Sequence, residues 1–446
     1  MQTSTTQAAV AEASEHQSTP EHQAYQSKHY RYTVLGLLTL VYLFSFVDRQ
    51  IVNILGSYII EDLQLSDAQF GALTGIAFAA IYVTVGIPVA RVADRGNRRN
   101  VVAISLTIWS LMTAVCGAVQ NFWQLFLARA GVGVGEAGCS PPSHSMISDI
   151  FPASERSTAL SIYSLGIYGG VLVGYVLGGY LAASYGWRLA FVAVGLPGVL
   201  LAVVLRMVVK EPPRGMAEAK TVSDDSPAFM EALRFLWSRA SFKHIALGCA
   251  LHAFVSYGLG SFVPVFLVRV HQMPIADIGL WLGVVSGVGG LLGAFGGGYL
   301  ADRLTNRNGD VRWQLWIPMI STVVTIPFYL LTFLVIENPY YVVLSAFIPS
   351  VAGGMYLAPC ISMTHGLVGL RMRAMASAIL FFVLNLIGLG LGPLATGFLS
   401  DGLKPYFGAE GLRYALALMV LVNAWCALHY HCAVKTLRQD LDRAPQ

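Results

Sequence analysis

The chain has 446 residues, of which 55% are hydrophobic and only 12% charged, with a mean hydropathy of +0.62. Soluble domains carry roughly 25% charged residues, so this composition excludes an ordinary soluble globular protein. The net charge of +4 is no nucleic-acid signature here, because the basic residues fall mainly in short loops between apolar runs, where they report topology.

Residues 1–30 are polar, rich in Gln, Ser, Thr, Ala and His, and lack the charged-then-apolar layout of a signal peptide. They read as a disordered cytoplasmic tail. Twelve apolar runs follow, over 33–59, 68–90, 100–119, 122–147, 158–184, 188–209, 243–268, 276–300, 314–336, 339–365, 374–400 and 411–434. Each meets the roughly 20 residues needed to cross about 30 Å of hydrocarbon. Lipid offers no partners to unpaired backbone groups, so these segments must be helices. The fold class is therefore an all-α membrane protein of twelve transmembrane helices. Its expected units are a six-helix bundle over 31–209, a cytoplasmic linker over 210–241, a second bundle over 242–434 and a tail over 435–446. Excess Lys and Arg in alternate loops, including Arg91, Arg99, Arg307, Arg312, Arg371 and Arg373, puts both termini in the cytoplasm.

The first and fourth runs hold four ionisable residues: Asp48, Arg49, Arg129 and Glu136. A charge at the bilayer centre costs roughly 2.5–3.5 kcal/mol on insertion scales, so its presence there points to function. Asp48 lies thirteen residues before Glu61, and Glu136 thirteen before Asp149. At 1.5 Å per residue both sit about 20 Å from a polar end, near the midplane. Arg129 is two turns, about 10.5 Å, from Glu136 on one face, too far for a comfortable pair within one helix. Each needs partners elsewhere, with Asp48 or Arg49 at matching depth the expected supplier. Adjacent Asp48 and Arg49 point about 100° apart, so the expected arrangement sends one towards the fourth helix and the other into a central cavity. Desolvation and a neighbouring guanidinium act in opposite directions on such a carboxyl. That balance lets it exchange a proton as a cavity opens and shuts. A structural ion-pair cluster locking the two helices is the plainer reading, and the two are compatible.

The loop after the second run reads Ala90-Arg91-Val92-Ala93-Asp94-Arg95, followed by Arg98 and Arg99. After the eighth, Gly298-Tyr299-Leu300-Ala301-Asp302-Arg303 repeats the small-xxx-Asp-Arg spacing. The positive-inside rule alone would place basic residues in both loops; the matched spacing adds an internal repeat of two halves, an architecture that puts the ligand near the midplane. The fifth run carries Gly166, Gly170, Gly174 and Gly178, and the eighth Gly283, Gly287, Gly289, Gly293 and Gly297. Small residues at this spacing allow close helix approach, and their presence in opposite halves predicts smooth surfaces between the fifth and eighth helices. Between the halves, 210–241 holds Pro212, Pro213, Asp224, Asp225 and Pro227, and Pro227–Arg239 could form a short surface helix.

The repeated loop resembles the signature of the major facilitator superfamily, whose Asp and Arg brace a cytoplasmic gate. By that resemblance Asp94, Arg95, Arg98, Asp302, Arg303, Asp149 and Arg156 would be the gate residues. The match extends further. Phe44-Ser45-Phe46-Val47-Asp48-Arg49-Gln50 resembles the first-helix motif of spinster-type transporters. Ala128-Arg129 through Gly133-Val134-Gly135-Glu136-Ala137 to Ser148-Asp149-Ile150-Phe151-Pro152 is similar to their fourth helix. Trp187-Arg188 with Gly195-Leu196-Pro197-Gly198 also fits. The resemblance implies a bacterial-type homologue in the inner membrane, moving sphingolipid- or lysolipid-like amphiphiles by alternating access. Asp48 and Glu136 would carry the proton, and Arg49 and Arg129 would bind substrate charge or tune the acids. Hexuronate-type anion symporters share Asp-Arg in the first helix and Gly-Glu-Ala in the fourth, leaving an organic anion as the alternative cargo.

The remaining candidates are weaker. His252, His365 and Asn385 lie in apolar runs, where ordinary packing accounts for them as well as a site does. The six cysteines fall in apolar runs without ligand spacing and read as small buried hydrophobes. No Gly-x4-Gly-Lys-Ser/Thr occurs and no His/Cys cluster has metal spacing, so neither ATP nor a metal is expected and the proton gradient is the expected energy source. An integral-membrane enzyme, with His144 beside Ser143 and Ser145, is the non-transport alternative. The expected partners are an amphipathic or anionic small molecule and membrane lipid, with no nucleic acid, and the chain is expected to be a monomer.

Overall fold

The structure, a computed structural model, describes residues 24–216, 229–369 and 372–445 and is almost wholly helical there. Helix α1 covers Lys28–Ile54 and resumes past Leu55 as Gly56–Asp62; α2 comprises Asp67–Thr74 and Ile76–Arg95; α3 is Arg98–Cys116. Helix α4 comprises Phe122–Glu136 and Ser140–Ile150, and one stretch, Ala153–Val208, holds both α5 (153–185) and α6 (187–208). A short helix, Phe229–Ser238, precedes α7 (Ala240–Arg269), α8 (Ile275–Asn308) and α9 (Trp313–Leu334). Helix α10 is built from Pro339–Ser345, Phe347–Gly354 and Leu357–Gly366. Helix α11 joins Arg373–Val383, a π-helical turn Leu384–Leu389 and Gly390–Phe407, and α12 is Gly411–Asp442.

Among the described residues, nine helical stretches are long and apolar enough to cross a membrane. Two of them are double crossings. Ser154–Val208 has 55 residues, about 82 Å of helix if straight, against about 30 Å of hydrocarbon. It folds back at Gly186, whose φ of +81° suits a residue without a Cβ. Met375–Asp442, with 68 residues, turns likewise around Gly408. Helix α4 supplies the twelfth crossing but is split, where the sequence predicted an unbroken run over 122–147. Pro141 and Pro142 fall in the first turn of its second piece, the only helical location that accepts proline without losing a hydrogen bond.

Polar residues in the loops cap the helices. Ser27, Asn97, Asn121 and Asn338 each accept a first-turn amide. Ser66 and Gln69 form a reciprocal capping box at α2.

The glycine stripes pack differently from the sequence expectation. Cβ atoms built on Gly166, Gly170 and Gly174 would meet the α1 backbone at Thr39, Leu43 and Val47, and one on Gly178 the α1 side chain Ile54. The α5 stripe therefore seats α1 of its own half, not α8. The α5–α8 approach is made instead by Gly179 against Gly279, whose Cβ atoms would each stand 3.0 Å from the other's Cα, with Gly283 and Gly287 beside Tyr175 and Leu172. Gly289, Gly293 and Gly297 turn to Ser350, Val351 and Met355 of α10. A four-residue spacing marks a close-approach face; which neighbour takes it is a tertiary matter.

The first and last described segments, near Tyr25 and Arg443, lie beside the two ends of the linker at one end of the bundle, here called terminal; the other is distal. At the distal end a single apolar core joins residues of both halves, from Ile51, Phe70 and Phe191 to Phe262, Phe266 and Leu282. Towards the terminal end it divides. One core gathers Leu38, Trp109, Met146 and Phe151 of the first half, and another Phe242, Ile245, Leu380 and Tyr430 of the second. The halves thus share one core distally and keep two cores terminally, with Leu389 of α11 reaching into that of the first half.

Candidate functional site

The four intramembrane charges meet as two ion pairs. Asp48, 2% exposed, accepts a hydrogen bond from Thr113 of α3 and one of 3.3 Å from Arg129 Nη1 of α4. Arg49 places Nε and Nη2 each 2.8 Å from Glu136 Oε2, and Ser45 Oγ donates to the same oxygen at 2.8 Å. Both α1 residues therefore reach α4, one to each of two charges two turns apart. This corrects the expectation that only one would do so. The reason is reach: Asp48 points between α3 and α4, whereas the long Arg49 side chain bends across the 100° between them.

Pairing is what makes these charges tolerable, since each ion removed from water costs several kcal/mol unless its geometry and hydrogen bonds compensate. Compensation is incomplete at two atoms. Two hydrogen bonds and the Arg49 Nη2 ion-pair contact converge on Glu136 Oε2, while Oε1 and Arg129 Nε are buried without a partner among the described residues. Of the four side chains Arg49 is the accessible one, at 15% exposed against 0–3% for the others. Its guanidinium lies 5.1, 4.8 and 5.2 Å from the ring centres of Phe46, Phe78 and Tyr82, within cation–π range. Phe78 also carries Arg129 at 5.6 Å, so one ring separates the two pairs. Neither Phe78 nor Tyr82 stands out in sequence, because aromatic residues are ordinary in membrane helices. The π turn of α11 sits opposite this cage and sends Leu389 into the first half's core.

A second polar cluster, invisible in the sequence, seals the distal end. Arg269 of α7 forms a two-pronged bridge to Asp67 of α2 at 2.6 and 2.7 Å, and Ser400 of α11 donates to Asp67 at 2.6 Å. The Asp401 carboxylate accepts the Asp67 and Ala68 amides at 3.0 and 2.8 Å, capping α2 from the opposite half. Backbone contact backs this latch: a Cβ on Gly71 would stand 2.3 Å from the Pro393 carbonyl oxygen, and one on Gly397 2.3 Å from that of Asp67. Asp67→Asn is expected to lose a charge-assisted pair worth about 1.5–3 kcal/mol. A cysteine at Leu394 in that variant should react at least tenfold faster with a distal thiol reagent; an unchanged rate would show that the latch holds nothing shut.

The residues expected at the terminal gate behave differently. Arg98 is 1% exposed and donates to Asp149, to Ser145 at 2.8 Å, to Glu211 at 2.8 Å and to the Pro212 carbonyl at 2.7 Å. It anchors the start of the linker to α3 and α4, a role for Glu211 that sequence reading missed. Arg156 donates to the Ser148 carbonyl at 2.9 Å, Asp302 accepts from Gln314 at 2.7 Å, and Arg303 bonds Tyr299 of its own helix at 3.1 Å. Arg95 is exposed; the Asp94 side chain and Arg371 lie outside the described residues, as do Asp224, Asp225 and Pro227. Asp310 binds Arg312 at 2.7 Å and Arg438 at 3.1 Å, and the Arg312 hydrogen bonds hold its carboxyl well below the usual range. Every one of these contacts stays within a half or reaches the linker. The contacts that bridge the halves through Asp67 and Asp401 lie at the distal end.

The other candidates are satisfied locally. His252 is buried between Thr322 Oγ1 at 3.2 Å and the Gly353 carbonyl at 3.1 Å, stacked on Tyr356. His365 contacts Ser377 at 2.6 Å, and Asn385 donates to the Phe381 carbonyl at 2.9 Å. Ser143 donates to the Cys139 carbonyl at 2.7 Å, while His144 meets the edge of Tyr163. All six cysteines are free.

Comparison with known proteins places this geometry in context. Residues 38–393 match the profile of the Major Facilitator Superfamily. A crystal structure of a bacterial homologue of the human lysosomal transporter Spinster, inward-facing and unoccupied, superposes with a TM-score of 0.85 at 33% identity, covering 93% of this chain and 99% of that one. An MFS-type efflux pump of Mycolicibacterium smegmatis is 37% identical over 92% of this chain and 94% of its own length. A hexuronate transporter of Bacillus subtilis is 24% identical over 86% and 92% respectively.

Proposed function

Because the chain belongs to the Major Facilitator Superfamily, we propose that this Spinster-related transporter moves an amphipathic anion or lipid by proton-coupled alternating access. The observation that carries this reading is the unequal use of the Glu136 carboxylate. Arg49, the accessible cation, is held entirely through Oε2, while Oε1 is unpartnered. A proton arriving on Oε1 removes the counter-charge of Arg49 without disturbing the donors on Oε2. The freed guanidinium then takes an anionic headgroup, and the Phe46, Phe78 and Tyr82 rings offer apolar walls to the chain behind it. Loss of the proton restores the Arg49–Glu136 pair and expels the anion. Substrate and deprotonated Glu136 thus compete for one cation, which is how a binding site becomes linked to a gradient.

Basic loops at the terminal end support cytoplasmic termini in a bacterial inner membrane. With that orientation the distal latch closes the outer side and the described state faces inward. The hexuronate-type relative supports a second reading, in which Arg49 holds a small organic anion.

A thermal-shift panel on the purified protein separates the two. Lysolipids and sphingoid phosphates are set against hexuronates, each with a neutral analogue. A ligand at a hundredfold excess over its dissociation constant adds about 2.7 kcal/mol of stability. Arg49→Gln is expected to weaken the anionic amphiphile at least tenfold, as for a charge-assisted bond of about 1.5–3 kcal/mol, and to spare the neutral analogue. Equal loss of both would reject Arg49 as the headgroup site. Stabilisation by hexuronates alone would replace the lipid reading with the organic-anion one.

A further inference from the structure

Two apolar grooves open on the outer surface of the bundle, and they differ at one end. The first, of about 490 Å³, lies between α3 and α6 and is walled by Ile104, Ile108, Val203 and Met207, ending at Asn100 and Arg206. The second, of about 460 Å³, lies among α8, α9 and α10 and is lined by Leu300, Ile320, Phe347, Ile348 and Met355, with Ser321 its only polar side chain. Both fall within the usual size of small-ligand clefts, about 300–1,000 Å³. Only the first has a cation at its mouth.

Position fixes what can occupy it. Asn100 is the third residue of α3 and Arg206 the third from the end of α6, so the polar mouth lies at the terminal, basic face. From Asn100 to Ile108 the groove descends about 12 Å along α3, within one leaflet of a hydrocarbon core about 30 Å thick. Arg206 is exposed and has no ion-pair partner among the described residues. Glu211, the acid that follows α6, is engaged by Arg98 Nε at 2.8 Å and the Arg99 amide at 2.9 Å. Arg99 adds a second cation beside the mouth, held by the Val209 carbonyl at 3.1 Å and Asn100 Oδ1 at 3.2 Å. An apolar trough one leaflet deep, with the Arg206 guanidinium at its mouth and Arg99 next to Asn100 beside it, is complementary to a lipid with an anionic headgroup.

We propose that the α3–α6 groove is a binding site for an anionic phospholipid of the terminal-side leaflet, with the phosphate on Arg206 and one acyl chain along Ile104 and Ile108. The site is separate from the Arg49 cage, and it does not depend on what the protein transports. Because Arg99 and Arg98 are adjacent, the lipid sits directly behind the residue that anchors the linker.

The test is a titration of purified full-length protein, by thermal shift and native mass spectrometry, with phosphatidylglycerol, phosphatidylcholine of the same chains, and inorganic phosphate. Phosphatidylglycerol is expected to act at about fivefold lower concentration than phosphatidylcholine, the scale of one arginine at an anionic headgroup. Arg206→Gln should reduce that preference to within about twofold of parity, and Ile104→Trp should weaken both lipids by filling the trough. Ile320→Trp in the second groove and Arg49→Gln in the transport site should leave the preference intact. A preference that survives Arg206→Gln, or its absence from the unmodified protein, overturns the proposal. So does stabilisation by inorganic phosphate alone, which would make this a free-anion site.

Discussion

Arg129→Met is expected to destabilise the protein by about 3–5 kcal/mol, the range for removing one partner of a buried ion pair. Arg129 and Asp48 are 2% and 3% exposed in their side chains, and Asp48 keeps only the Thr113 hydroxyl once the guanidinium is gone. The loss arises from the orphaned carboxylate more than from the missing contact. Asp48→Asn in the same chain should therefore recover most of the deficit, because two neutral groups of similar shape carry no desolvated charge. A double-mutant cycle on thermal or denaturant unfolding measures the coupling. Additive losses would mean that the two side chains do not share a charge-compensating role. Transport need not return with stability in the double variant.

Glu136→Gln is the second substitution with a large expected effect. A single linked proton tilts a conformational or binding equilibrium by up to about 1.4 kcal/mol per pH unit. If Glu136 is the linked group, its amide should flatten the pH profile of substrate binding and of distal-to-terminal accessibility. The anion affinity should stay at the value the unmodified protein reaches at low pH, since Arg49 then faces no competing carboxylate. Asp48→Asn tests the other acid. Its profile should retain a slope if Asp48 serves only to seat Arg129. Unchanged profiles in both variants would remove proton coupling from the mechanism and leave two structural ion pairs.

The latch and the cage show where sequence reading stopped. Asp67 and Arg269 are 202 residues apart, and each alone is unremarkable beside a loop. Nothing local announces that Asp401 caps a helix of the other half, because capping is normally done from within three residues. Phe78 and Tyr82 lie one turn apart in an apolar helix, and only the placement of Arg49 turns them into a cation-binding wall. Glu211 likewise gains its role from Arg98. By contrast the two-turn offset of Arg129 from Glu136, and the need of both for partners outside their own helix, followed from residue counting. The α5 glycines show both sides at once: the close-approach face was legible in their spacing, but its occupant is α1 and not α8.

What the sequence determined by itself is the set of crossings, the polar ends and the presence of four charges inside apolar segments. Hydropathy, helical rise and insertion energy are properties of one segment against lipid, so a single chain suffices to read them. Only the tertiary structure decided who faces whom. It paired Asp48 with Arg129 and Arg49 with Glu136, left Glu136 Oε1 empty, and closed the distal end while leaving the terminal cores apart. Those outcomes depend on the rotation and offset of one helix against another, which the free energies of many distant contacts set jointly and no local pattern encodes.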